Sequence, residues 1–174
     1  MGGLFFVKKL TTRTVVYLGV LTALEIVLTR FLSINAWNIR IGFGFVPIAA
    51  AGMLFGPIPA AVMAALADVL GAVLFPTGPF FPGFTVTAAL TGLSFGLCLY
   101  KKRSTVRVLI AVGVNQLVLG LLVNTYWISV LYGSPFLPLL TTRLIQCAVL
   151  VPVQLVVTLL MGRAADQYGG RLPL

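Results

Sequence analysis

The chain has 174 residues, 60% of them hydrophobic and 9% charged, against roughly 25% charged in an ordinary soluble domain. So much apolar surface does not fit in one water-facing core, so the bilayer is the solvent. There is no His, and Cys98 and Cys147 sit inside apolar runs, which argues against a Cys/His metal site or a disulfide framework. The net charge of +9 does not indicate nucleic-acid binding, because the basic residues cluster at the ends of apolar segments as topology signals do.

The N-terminal stretch places Lys8, Lys9 and Arg13 before an apolar run. That run is as long as a membrane span, lacks a small-residue cleavage site and contains Glu25 and Arg30, so it is expected to be the first membrane helix, 14–33. A polar patch at 35–40 follows, then a short segment at 43–55. Gly56-Pro57-Ile58-Pro59 turns the chain into a third segment, 60–75. A loop rich in Pro, Gly and Phe at 76–83 precedes a fourth helix at 84–100; the fifth and sixth are expected at 106–131 and 137–162. The expected fold class is an all-α integral membrane bundle of six transmembrane helices, one membrane domain over 1–174. The short second and third segments also fit a single broken hairpin.

Six spans put Lys8, Lys9 and Arg13, then Lys101, Lys102, Arg103 and Arg107, then Arg163 and Arg171 on one face. By the positive-inside rule that face, with both termini, is cytoplasmic. Arg30, Arg40 and Arg143 are left in the outer half, where they serve no topological purpose. A charge near the hydrocarbon is costly and often marks a functional path, and an arginine fork suits a carboxylate. Snorkelling of each arginine, or pairing of Arg30 with Glu25, would also explain them.

Around these arginines lie residues able to stack a flat ring and read its edge. Asn124 and Trp127 share a face by three-residue spacing, extended inward through Gly120 and Gln116; Arg143 and Gln146 do the same on the last helix, with Gln154 deeper. The outer loops add Trp37, Asn38, Phe80, Phe81, Phe84 and Tyr132. For Trp127 and Tyr132 an interfacial aromatic belt explains the same residues equally well. Glu25 and Asp68 invite a proton-coupling role, but local pairing or satisfaction of N–H groups explains them as simply. No phosphate loop, nucleophile–base pair or metal cluster is legible, so neither enzymatic chemistry nor a cofactor is expected. Small residues recur at Gly19 and Ala23, and from Ala60 to Gly71, as surfaces for close helix approach within the fold or with a partner.

The run from Ala23 to Ile34, followed by Asn38-Ile39-Arg40-Ile41-Gly42-Phe43, resembles the first helix and loop of the S components of energy-coupling factor (ECF) vitamin importers. It is most similar to their folate-specific members. Phe45-Val46-Pro47-Ile48, the stretch from Gly52 to Pro57, Ala67-Asp68 with Gly71, and Phe75-Pro76 continue the match. The resemblance implies a folate-binding, multi-pass subunit of a prokaryotic cell membrane. Its partners would be a transmembrane coupling protein and two ATPase subunits, which alone would use ATP. It implies a pocket between the first loop and helices four to six, with Arg30, Trp37, Asn38, Arg40, Phe81, Phe84, Asn124, Trp127, Arg143 and Gln146 as candidate ligand contacts. It also implies docking through helix one, where the family's Ala-xxx-Ala reads Gly19 and Ala23. An S component for another vitamin, or a membrane scaffold that binds no ligand, are the rival readings.

Overall fold

The structure, a computed structural model, describes residues 11–36 and 39–168, with backbone only at 34–36, 39–41 and 168. Its elements in chain order are α1 (Thr12–Arg30), a hairpin of β1 (Ile34–Ala36) and β2 (Ile39–Ile41), α2 (Phe45–Phe55), α3 (Pro57–Leu74), α4 (Pro82–Leu99), α5 (Thr105–Tyr132) and α6 (Phe136–Tyr168). Among the described residues five helices are long and apolar enough to cross a bilayer, and α2 is a shorter apolar helix. At 11 residues, α2 is only about 16 Å long.

Contacts sort the helix ends into two groups. Tyr17 of α1 stacks on Phe55 at the end of α2, with ring centroids 6.3 Å apart. Arg103 donates to the Met53 carbonyl at 2.9 Å and forms an ion pair with Asp166 near the end of α6. Tyr100 lies against Gly56, whose positive φ of 94° makes the turn between α2 and α3. The start of α1, the α2–α3 turn, the α4–α5 loop and the end of α6 therefore share one end of the bundle. Arg13, Lys101, Lys102, Arg103, Arg107 and Arg163 belong to that end; Lys8, Lys9 and Arg171 lie outside the described residues.

Three features differ from the sequence-based expectation. The polar patch at 35–40 is not a plain loop: β1 and β2 pair antiparallel, with Asn35 opposite Arg40. Strands of three residues are too short to leave a legible alternation. The last helix runs to Tyr168 rather than 162, because apolar composition marks where a helix leaves the hydrocarbon, not where its hydrogen bonding stops. The middle of α5, Val114–Val123, is π-helical. Its wider turn also brings residues five apart into line: Asn115 and Thr125 are buried, at 6% and 0% exposure, while Gln116, Gly120 and Asn124 are half-buried.

The core forms where small residues permit backbone contact. The most extensive helix pairing is α3 against α4. Ala60, Ala64 and Ala67 are buried there. A Cβ on Gly92 would run into the Ala60 carbonyl, and one on Gly96 into the backbone of Pro57. The small residues of α3 thus pack inside the fold. Gly19 and Ala23 face outward on α1, whose buried residues are Glu25 and Ile26.

Candidate functional site

At the opposite end from the basic loops, Trp127 is the centre of an aromatic group. Its ring lies 5.5 Å from Phe81 and 5.1 Å from Tyr126, and Phe81 is 6.0 Å from Phe84 in an edge-on arrangement. Trp127 Nε1 donates to Thr87 Oγ1 at 3.1 Å. A Cβ on Gly83 would stand 2.6 Å from both the indole and the Phe81 ring. The first turn of α4, opened by Pro82, is therefore bare at Gly83 so that Trp127 can lie on it. This indole is half-buried and turned toward α4, which the interfacial-belt reading does not require.

Arg30 ends α1 and is joined to two other elements. Its Nη1 donates to Thr77 Oγ1 at 2.8 Å, and its Nη2 is 4.0 Å from Asp68 Oδ1 on α3, with 8% of the arginine side chain exposed. Thr85 Oγ1 donates to the other Asp68 oxygen at 2.7 Å. The guanidinium lies over Gly71, where a Cβ would be 2.8 Å from Nε. The ion pair of Arg30 is thus with Asp68, not Glu25 as one sequence-based alternative had it. Asp68 serves as a tie between helices, and with Arg30, Thr77 and Thr85 it joins α1, α3, α4 and the 75–81 loop.

Arg143 faces inward on α6 at 7% exposure and donates from Nη2 to the Gly120 carbonyl at 3.2 Å. Cys147, one turn on, lies with its sulfur 3.5 Å from the Gln116 carbonyl. Both carbonyls belong to the π-helical stretch and face the neighbouring helix. Arg143, Cys147, Leu150, Gln154 and Thr158 form the buried row of α6. Gln146 is half-buried beside it. Asn124, also half-buried, has an amide oxygen with no hydrogen-bond partner among the described residues.

The structure brings Phe81, Phe84 and Trp127 together at this end and sets Arg30 and Arg143 in two separate protein settings. Arg40 is placed by backbone register only, opposite Asn35, and Trp37 and Asn38 lie outside the described residues. Thr77, Thr85, Thr87 and Gly83 were not singled out from the sequence. Their partners are distant in the chain (Thr87 and Trp127 are 40 residues apart), and only the Pro/Gly/Phe density of the 76–83 loop pointed to this region.

Comparison with known proteins agrees with this architecture. The family model described as "ECF-type riboflavin transporter, S component" matches residues 9–165. The chain is 44% identical over 143 residues to a folate transporter FolT of Clostridium novyi (strain NT), covering 82% of this chain and 83% of that protein. It is 35% identical to a folate transporter FolT of Leuconostoc mesenteroides subsp. mesenteroides, over 84% of this chain and 82% of the relative. A crystal structure of FolT bound with folic acid superposes with a TM-score of 0.85 at 33% identity, over 88% of this chain and 95% of that one. With a family model spanning most of its length and two such relatives, this membrane protein belongs to the S components of ECF-type vitamin transporters.

Proposed function

We propose that this S component binds folate or a reduced folate and delivers it for import. The observation that carries the reading is a group of edge-on and tilted aromatics (Phe81, Phe84, Trp127) at the end of the bundle opposite the basic loops, in a half that also holds two buried guanidinium groups (Arg30, Arg143). Folate offers a matching set of groups: flat rings to stack, amide edges to read, and a glutamate tail with two carboxylates. The named relatives support the same substrate. In this reading Trp37, Asn38, Phe81, Phe84, Asn124, Trp127 and Gln146 hold the rings and their edges. Arg40, or failing it Arg30 or Arg143, clamps the tail.

The chain performs no chemistry of its own in this reading and carries no cofactor. It works in the plasma membrane of a prokaryote with both termini cytoplasmic, in keeping with the basic residues gathered at one end. It docks through Gly19 and Ala23 on a transmembrane coupling protein served by two ATPase subunits. A second reading, riboflavin, is favoured by the description of the family model. Riboflavin has a flat ring but no carboxylate, so it gives the outer arginines nothing to clamp.

Titration calorimetry on the detergent-purified protein separates the two. Folate should bind without ATP, and riboflavin should give no heat. Binding of riboflavin with none of folate would overturn the substrate and leave the family unchanged.

A further inference from the structure

We propose that Glu25 is a positioning residue for the ligand hairpin, its carboxylate holding the start of α2 so that β2 and Arg40 are presented at a set height above the bundle. The proposal rests on the folate reading, because it assumes that the hairpin meets the ligand. Glu25 is buried in α1 at 7% exposure. A carboxylate inside a membrane protein persists where N–H donors or positive charge face it. The first N–H groups of a helix form its positive end. In α2 the Val46 N–H donates to the Phe43 carbonyl at 2.9 Å and Pro47 has none, which leaves Phe45 N–H as the donor of the first three positions for the carboxylate. Helix α2 begins at Phe45, directly after Gly44. Glu25 Oε1 lies 3.6 Å from the point where a Cβ on Gly44 would stand.

A row of contacts on α1 supports the same assignment. Glu25 and Thr29 share one face of α1 at a four-residue step, and Ser33 lies just past the helix end at Arg30. A Cβ on Gly44 would collide with Thr29 Cγ2, and one on Gly42 would stand 2.6 Å from Ser33 Cβ. Thr29 Oγ1 donates to the Glu25 carbonyl at 2.8 Å, and Ser33 Oγ donates to the Thr29 carbonyl. Both hydroxyls are thus folded back on their own helix, and the two glycines lie directly on the side chains. Gly42 follows β2 without a spacer, so the register of this row fixes where the strand bearing Arg40 leaves the bundle.

The test uses the full-length protein with Trp127→Phe, which leaves Trp37, between β1 and β2 in the sequence, as the sole tryptophan of the original two. In that background Glu25→Ala should increase acrylamide quenching of Trp37, and in the protein that keeps Trp127 it should weaken folate by about tenfold, the scale of a lost charge at a helix end. Glu25→Gln keeps an acceptor oxygen and should recover part of both effects. Gly44→Ala should reproduce the Trp37 change. Thr29→Ser, which removes the colliding methyl but keeps the hydroxyl, should reverse it in the double variant. Gly44 has a φ of −58°, which alanine tolerates, so the effect would come from the collision alone. Unchanged Trp37 quenching and folate affinity in Glu25→Ala, or no rescue by Thr29→Ser, would overturn the proposal. Increased Trp37 exposure in a protein that binds riboflavin and no folate would uphold the positioning role and refute the folate reading.

Discussion

Arg30 donates a hydrogen bond to the Thr77 hydroxyl across 2.8 Å, and this contact joins the last turn of α1 to the loop that carries Phe80 and Phe81. Together with Asp68 it makes the arginine part of the frame around the aromatic group. Arg30→Ala should therefore destabilise the ligand-free protein by about 2 kcal/mol, since it leaves Asp68 with one partner fewer. Thr77→Val should produce a smaller loss of the same kind. Thermal unfolding in detergent measures both. Undiminished stability in Arg30→Ala, with folate binding lost, would assign the guanidinium to the ligand alone.

The anion clamp is separable from ring recognition by comparing folate with pteroate, which lacks the glutamate. Arg40→Ala should weaken folate roughly 30-fold or more while changing pteroate little, the scale of losing one partner of a desolvated charge pair. Arg40→Lys should recover only part of the loss, because it restores charge without the planar fork. Equal losses for both ligands in each of Arg30→Ala, Arg40→Ala and Arg143→Ala would move the glutamate contact to other residues.

The contact between α3 and α4 depends on glycine at 92. Gly92→Ala places a methyl against the Ala60 carbonyl, and a backbone atom yields less readily than a side chain. The cost should be about 1–3 kcal/mol, read as a lower melting temperature in detergent. Gly113→Ala is the matched control. Nothing lies within 4 Å of its added Cβ, so it should be neutral or slightly stabilising.

Docking should be separable from binding. Gly19 faces open space, and Ala23 is exposed on the same side of α1 one turn away. Gly19→Trp or Ala23→Trp should abolish folate uptake by the assembled importer and leave folate affinity of the isolated subunit within about twofold, because close helix approach needs small side chains. Normal uptake by either variant would place the docking face elsewhere.

The membrane class, the helical segments and the gathering of basic residues at one end were legible from the sequence for a physical reason. The bilayer imposes a span length, and the cost of charge in hydrocarbon leaves the basic residues at the ends of apolar runs. The aromatics at 81, 84 and 127 and the arginines at 30 and 143 could be named from residue type for the same reason. Their partners could not. Whether Arg30 would pair with Glu25 or Asp68 depended on how far α1 is rotated against α3, which composition does not encode. The π-helical stretch Val114–Val123 of α5 was not legible, because residue spacing alone assumes an α-helix throughout. The small residues of α1 and α3 look alike in sequence. Packing decided between them, burying Ala60, Ala64 and Ala67 against α4 and leaving Gly19 and Ala23 on the surface, because a bare backbone is used wherever another chain comes close, within the fold or outside it.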